Sequence, residues 1–566
     1  MSALVLLAVP ALPLLLALAM AFSPSPRLQR LTPWTTLPAL GLAVAGSDGG
    51  PANVDWLLVG VELGLDPVGR IFLLLTATLW LAAGLYSLSD RRGDPQARRF
   101  HLFFLLAMSG NLGLVLASDA VGFYLFFSLM SLASWGLVIH RENREAWRAG
   151  RVYLVTALVG ELVLFAGLVL SVMQAGSTRM TEIAAAGPGG WALVLLVVGL
   201  GVKAGMLPLH FWLPLAHPAA PVPASAVLSG AMIKAGLLGW LRLLPLDPGG
   251  SVELGETLVV LGFLAAFLAA LGGVMQDRPK TILAYSSISQ MGLMTVGVGL
   301  ALLLPEARGA LVAAVAFYAL HHGLAKGALF LSVGIVDRIP SGVVARYVTI
   351  ALLVLPALAV AGIPLTSGAL AKSLLTAPLS ASDLAFLKGW FGLAMVGSTL
   401  LVIRFLWCLR ASAAVAAGPR DGRRWLPWAV LSSMSVLLPP VMPIVGFVEV
   451  RATAGDLLGW SLVWPVLAGL ALALIAARIY RQGGSPRLPE GDLVVPLERV
   501  VTGGARLVSR WRPVSIAPRL RARARLWCRL GRGFLRRTEN TLIRWEVFGA
   551  LFLGLTLFLY GVLTIS

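Results

Sequence analysis

The chain has 566 residues, of which 58% are hydrophobic and 13% charged, and a net charge of +19. Soluble chains carry about 25% charged residues, so this composition excludes a soluble globular protein and reads as an all-α polytopic membrane protein. The positive charge does not point to nucleic acid, because the basic residues lie in loops between apolar runs and in one late segment, where membrane topology places them.

Windows of about 20 apolar residues, each able to cross a bilayer, recur along nearly the whole length, and about 16 transmembrane helices are expected. The first three spans fall near residues 3–22, 34–46 and 67–88. Met1–Ala21 has no basic start and no small-residue cleavage site, so it is read as a transmembrane helix and not a signal peptide. Arg27 and Arg30 follow the first span, Arg91, Arg92, Arg98 and Arg99 the third, and Arg141, Arg144, Arg148 and Arg151 the fifth. The alternate loops carry the acids Asp48, Asp55, Glu62, Asp66 and Asp119 with a single Arg179. By the excess of basic residues in cytoplasmic loops, odd-to-even connections face the cytoplasm and the N-terminus lies outside a cell membrane.

Glu161 falls mid-depth in the sixth span, near 151–173. A carboxylate there must be neutral or paired, since burying its charge is costly. It is either a protonated packing residue or the acid partner of a nearby cation. Residues 200–242 then gather Lys203, His210, His217 and Lys234 among Pro208, Pro214, Pro218, Pro221 and Pro223. Prolines break helices, and broken backbone at membrane depth is tolerated only against protein or a water-filled cavity. Ionisable groups in such a place read as an ion pathway.

The eleventh span holds Tyr318, His321, His322 and Lys326. His322 and Lys326 are one turn apart and share a face, whereas His321 points to another face and is open to either a packing or a relay role. The twelfth span breaks at Gly362-Ile363-Pro364 and resumes toward Lys372. Two broken spans, at Pro208 and Pro364, thus lie five spans apart. Five is odd, so two five-helix units would cross in opposite senses, as inverted repeats whose paired broken helices point to a transport site. Residues 481–544 turn polar and basic, and Leu520, Trp527, Leu530 and Phe534 recur at helical spacing among arginines. The segment reads as an interfacial helix on anionic lipid or as a basic linker. A last span is expected at 545–565. The organisation is therefore 1–100 N-terminal spans, 101–244 and 245–410 two half-channel repeats, 411–480 further spans, 481–544 the basic segment and 545–566 the final helix.

Cys408 and Cys528 lie far apart without metal-ligand spacing, and no phosphate-binding glycine loop or dinucleotide fingerprint stands out. No cofactor or metal is expected, so any redox chemistry belongs to partner subunits.

The positions Lys203, Pro208, His210, Trp212, Leu213, Pro214, Ala216, His217, Ala220, Pro221, Ser225, Ser229, Gly230 and Lys234 carry a pattern of fixed spacing. It resembles the antiporter-like subunits of respiratory complex I, of multisubunit Mrp-type cation/proton antiporters and of membrane-bound hydrogenases. Asp277 through Ser287, His322 with Lys326, and Gly362 through Lys372 resemble further motifs of that family. Four departures stand out: Leu215 where relatives carry aspartate, Ser128 where they carry a glutamate in the fifth span, Tyr318 where they carry a histidine, and Pro279 inserted before Lys280.

The resemblance implies a proton-translocating membrane subunit of a larger NADH:quinone oxidoreductase-like, hydrogenase-like or antiporter assembly, with other membrane subunits as partners and protons, or Na+, as cargo. Lys203 is then the carrier of the first half, Lys234 relays to His322 and Lys326, Lys372 is the carrier of the second half, and His210 and His217 join the pathway. Glu161 is expected to replace the missing acid. Two alternatives stay open: the membrane partner of a two-component uptake system, for instance for inorganic carbon, and a structural subunit that has lost conduction.

Overall fold

The computed structural model describes residues 3–23, 25–46, 50–58, 60–246, 251–336, 343–413, 422–444, 458–483 and 488–490. It divides into one unit of residues 1–53 with 62–492 and a second of 54–61 with 493–566. The expected span at 545–565 and nearly all of the basic segment lie outside the described residues.

The first unit is a helical bundle. In chain order its helices are α1 (Ala3–Phe22), α2 (Pro26–Leu31), α3 (Leu37–Ala45), α4 (Pro67–Asp90), α5 (Ala97–Leu116), α6 (Ala120–Val138), α7 (Arg144–Ala175), α8 (Met180–Ala186), α9 (Gly190–Ala204), α10 (Trp212–Ala219), α11 (Val222–Val227), α12 (Lys234–Leu243), α13 (Val252–Val274), α14 (Pro279–Leu303), α15 (Arg308–Val336), α16 (Val343–Ala361), α17 (Ser367–Thr376), α18 (Leu387–Ala413), α19 (Trp425–Ile444) and α20 (Trp460–Gly483).

Twelve helical segments among the described residues are long and apolar enough to cross a membrane, fewer than the sixteen expected. The difference has physical causes. The seventh span is split into α9 and α10, α19 is apolar only over a shorter window, and the sixteenth span is not described. The second span, expected near 34–46, is divided into a 3₁₀ turn (Thr32–Thr36) and the short helix α3, with Pro33 and Pro38 at their starts. It still runs the length of α4, with Pro33 against Gly84 at one end. At the other, Arg70 donates to the carbonyls of Ala43 and Val44 at 2.9 and 2.7 Å.

Both broken spans end in the same way, and the cause is glycine before proline. Gly205 and Gly362 adopt φ of +71° and +83°, a region open to glycine at little cost. In each, the next residue closes back over the turn: Met206 N–H donates to Gly201 O at 2.9 Å and Ile363 N–H to Leu358 O at 3.1 Å, the Schellman pattern of a helix C-terminus. Pro208 and Pro364 follow and prevent immediate resumption. The break expected at Pro208 therefore belongs to Gly205, three residues earlier, and the one expected over Gly362-Ile363-Pro364 turns at Gly362.

Helices α5, α6, α7, α9 and α12 and helices α13, α14, α15, α16 and α18 have comparable neighbours. α5 packs on α6 and α13 on α14, α6 on α7 and α14 on α15, α7 on α9 and α15 on α16, and α9 on α12 and α16 on α18.

The basic loops gather at one end of the bundle, tied by ion pairs. Arg91 and His140 meet Asp94 at 3.0 and 2.9 Å, Arg278 meets Glu145 at 2.5 Å and Glu490 at 3.1 Å, Arg404 meets Asp277 at 2.6 Å, and Arg424 meets Asp90 at 2.8 Å. Burial works against the Asp94 charge, yet its bonds from His140 and the Gln96 N–H, with the Arg91 charge, hold the carboxyl below its ordinary value. The opposite end carries Arg242 with Asp66 and Arg179 with Glu62. Asp119 caps α6 there, accepting from Gly122 N–H at 2.8 Å.

Candidate functional site

Five lysines, Lys203, Lys234, Lys280, Lys326 and Lys372, are buried, with His101, His140, His210, His217, His321 and His322. Among the described residues, Glu161 and Asp119 are the buried carboxylates, and no group of side chains suits a metal ion. Asp119 is spent on its helix cap, so Glu161 is the acid available to the interior.

Lys203 lies in the last turn of α9, where the freed carbonyl end of a helix favours a cation. Its Nζ donates to Ser131 Oγ at 2.9 Å and to Tyr153 OH at 3.2 Å. The rings of Tyr153, Phe127 and Trp212 stand 5.6–6.0 Å from Nζ, within cation–π range. Glu161 lines the same small cavity, with Ser131, Tyr153, Gly160 and Trp212. Val155, Leu158, Val159 and Leu162 form the exposed face of α7, which leaves Glu161 turned inward. Its carboxyl faces Ser131 and Ser128 and feels the charge of Lys203, while its Oε1 has no hydrogen-bond partner among the described residues. Ser131 thus stands between amine and acid. Neither Ser131 nor Tyr153 stands out in the sequence, because nothing in the spacing of α6 or α7 distinguishes them from packing residues.

Lys234 begins α12 directly after a π-helical turn, Leu228–Met232, and its Nζ donates to Ser229 O at 2.6 Å. Such turns release a carbonyl from the helix ladder. Ser229 Oγ bonds Ser287 Oγ at 2.7 Å, Ser287 bonds Leu283 O at 2.9 Å, and Lys326 Nζ donates to that same carbonyl at 3.2 Å. The helices can meet here because Gly230 and Gly323 face each other. A Cβ on either would sit 2.8 Å or less from the other's carbonyl oxygen. His322 is fully buried with both ring nitrogens unpartnered among the described residues, and the charges of Lys234, Lys326 and Lys372 reach it.

Lys372 sits on α17, beyond its break, and reaches back. Its Nζ donates to Val360 O at 3.2 Å and Ala361 O at 3.0 Å, carbonyls released where α16 stops. His321 bonds Ser367 Oγ at 2.7 Å, at the start of α17. The face argument gave His321 an open role. The structure instead ties it, and not His322, to the second broken helix. Gly368 permits the close approach, since a Cβ there would sit 2.9 Å from His321 Nε2. Tyr318 OH donates to Gln290 Oε1 and Gln290 Nε2 to Ser398 Oγ, both at 2.8 Å.

The predicted residues therefore form two clusters. Lys203 and Glu161 make one; Lys234, His322, Lys326, His321 and Lys372 make the other, with His217 at its edge. Between them lie Ser134 and Met232, in contact at 3.1 Å, and Gly236 of α12 packed on Ala204 of α9. His210 is buried in the turn between α9 and α10, its carbonyl accepting from Leu213 N–H at 3.0 Å.

Gly362 gives a direct check on this geometry. Gly362→Ala places a Cβ 2.6 Å from Lys372 Nζ at positive φ. It is expected to cost about 1–2 kcal/mol, seen as a lower melting temperature, and to displace the amine. Gly41→Ala, with open space around it, should change neither.

Known proteins are similar to this chain. Residues 117–401, which span both broken helices, match the family model described as NADH:quinone oxidoreductase/Mrp antiporter, transmembrane. The chain is 32% identical to Hydrogenase-4 component B of Escherichia coli over 294 residues, 49% of this chain and 44% of that protein. It is 30% identical to NADH-quinone oxidoreductase subunit N of Desulforudis audaxviator over 395 residues, 64% of this chain and 75% of the relative. The chain thus spans less than half the length of the hydrogenase component. Among solved structures, the Mrp complex from Dietzia sp. DQ12-45-1b shares the fold with a TM-score of 0.73 at 23% identity, covering 94% of this chain and 62% of that one. The family match and the subunit N relative together place the chain plainly: it belongs to the NADH:quinone oxidoreductase/Mrp antiporter transmembrane family.

Proposed function

We propose that the chain is a proton-translocating subunit of a multisubunit membrane assembly, complex-I-like, hydrogenase-like or Mrp-type. One observation carries the reading: lysines and histidines otherwise costly to bury are strung from Lys203 to Lys372 through both broken helices, the lysines bonded to hydroxyls or backbone carbonyls that accept from an amine. Amines held this way take up and give back protons as neighbouring charges change, because one buried charge disfavours the next.

In this reading residues 101–244 and 245–410 are two half-channels related as inverted repeats, with Lys203 and Lys372 as their carriers and Lys234, His322 and Lys326 between. The basic end faces the cytoplasm of a cell membrane, the N-terminus lies outside, and residues 481–544 rest on anionic lipid. The driving reaction belongs to partner subunits; related proteins include subunits of antiporters and of a respiratory membrane complex.

The test is proton movement in vesicles from cells with and without the chain, read by pH-sensitive dyes on both faces, together with identification of what copurifies in mild detergent. Proton movement that depends on the chain supports the reading. A two-component uptake role is indicated by a soluble partner and substrate uptake without respiratory subunits, and a structural role by normal proton movement once the lysines are replaced. Repeating the assay with and without Na+ shows whether sodium is also moved.

A further inference from the structure

One buried lysine does not stand out as a pathway residue in the sequence. Lys280 is the second residue of α14, at the basic end. Two residues earlier, Arg278 is exposed and paired with Glu145 and Glu490. Lys280 turns inward and is only 7% exposed. Its Nζ donates to Ala220 O at 2.6 Å and to Ser225 Oγ at 3.2 Å. Ala220 ends α10, where the helix leaves carbonyls free and Pro221 has no N–H to offer, and Ser225 lies in α11 just beyond. Two of the three ammonium hydrogens are thereby directed, and the third is left for transfer.

Ser225 Oγ donates in turn to the His217 carbonyl at 2.9 Å. The His217 ring is fully buried and stacked on Phe330 at 4.6 Å. Neither of its nitrogens has a partner among the described residues. A buried imidazole with two idle nitrogens calls for an explanation. The charges of Lys280, Lys326 and Lys234 all act on it. One imidazole is thus shared between the lysine nearest the basic end and the lysine pair at the middle of the bundle.

We propose that Lys280 is the entry relay of the pathway, passing protons from the basic end through His217 to the Lys234–Lys326 group. The proposal rests on the proton-translocation reading and adds a residue and a side of entry to it. A proton from water at the basic end binds the Lys280 amine. It then moves to a ring nitrogen of His217 and on to the amine of Lys234 or Lys326, and each group returns to its starting form. The charged groups facing Lys280 from the basic end are Arg141, Asp90, Arg278 and Arg91.

A role as a cap on the α10 turn is the competing explanation, and two substitutions separate them. Lys280→Gln keeps N–H donors for Ala220 and Ser225 but carries no transferable proton near neutral pH. His217→Phe keeps the stack on Phe330 and removes the imidazole. In vesicles holding the intact complex, both are expected to assemble normally and to slow proton movement by about a hundredfold or more, the scale of a lost acid–base group. Either variant assembling and moving protons at the wild-type rate overturns the proposal, and if Lys280→Gln does not assemble, His217→Phe decides. Lys203→Ala is measured alongside. If that variant also moves protons normally, the proton-translocation reading fails; if it is blocked while Lys280→Gln and His217→Phe are not, only the entry relay fails.

Discussion

Lys203→Ala and Lys372→Ala are each expected to reduce proton movement by the assembled complex to background. Lys203 is the amine of the first broken span and is held on Ser131 and Tyr153. Lys372 serves the second and is held on the Val360 and Ala361 carbonyls. No other described lysine reaches those acceptors, so removal leaves a gap in the series that a neighbour cannot fill. The Lys372 substitution also orphans two buried carbonyls, at about 1–3 kcal/mol for an unmet group, so the amount of assembled complex is measured in parallel. Full proton movement in either variant at normal assembly would refute its role as a carrier.

The second large effect concerns the displaced acid. Relatives are expected to hold a glutamate at the position of Ser128, and here the carboxyl facing Lys203 comes from Glu161 on the next helix. Opposite charges a few ångströms apart interact by a few kcal/mol at the effective dielectric of a protein. Glu161→Gln is therefore expected to slow proton movement by about tenfold or more. Ser128→Glu, added to that variant, should recover part of the loss, because position 128 faces the same carboxyl. Unchanged transport in Glu161→Gln would return Glu161 to a packing role.

Much of this arrangement is legible in the sequence, and the exceptions have physical reasons. Lys203, Lys234, Lys326 and Lys372 stand out because a cation in an apolar run has few uses, and Pro208 and Pro364 draw attention to the spans they follow. The breaks themselves belong to Gly205 and Gly362, whose positive φ is a property of the folded backbone. Periodicity shows which face His321 occupies but not what packs there, so its bond to Ser367 emerges only from the way α17 docks. Ser131 and Tyr153 are ordinary residues of apolar helices until α6, α7 and α9 bring them to one amine. Lys280 reads as a loop cation beside Arg278, because sequence does not reveal that two neighbours turn in opposite directions.

The most direct test of proton passage between the two halves is the count of protons crossing the membrane per turnover of the purified complex in proteoliposomes, wild type against Lys326→Met. Lys326 is linked to Lys234 through the Leu283 carbonyl, Ser287 and Ser229, and methionine keeps its bulk while removing the amine. The variant is expected to assemble while its proton count falls to background. An unchanged proton count per turnover in Lys326→Met would contradict a lysine-borne pathway through the middle of the bundle.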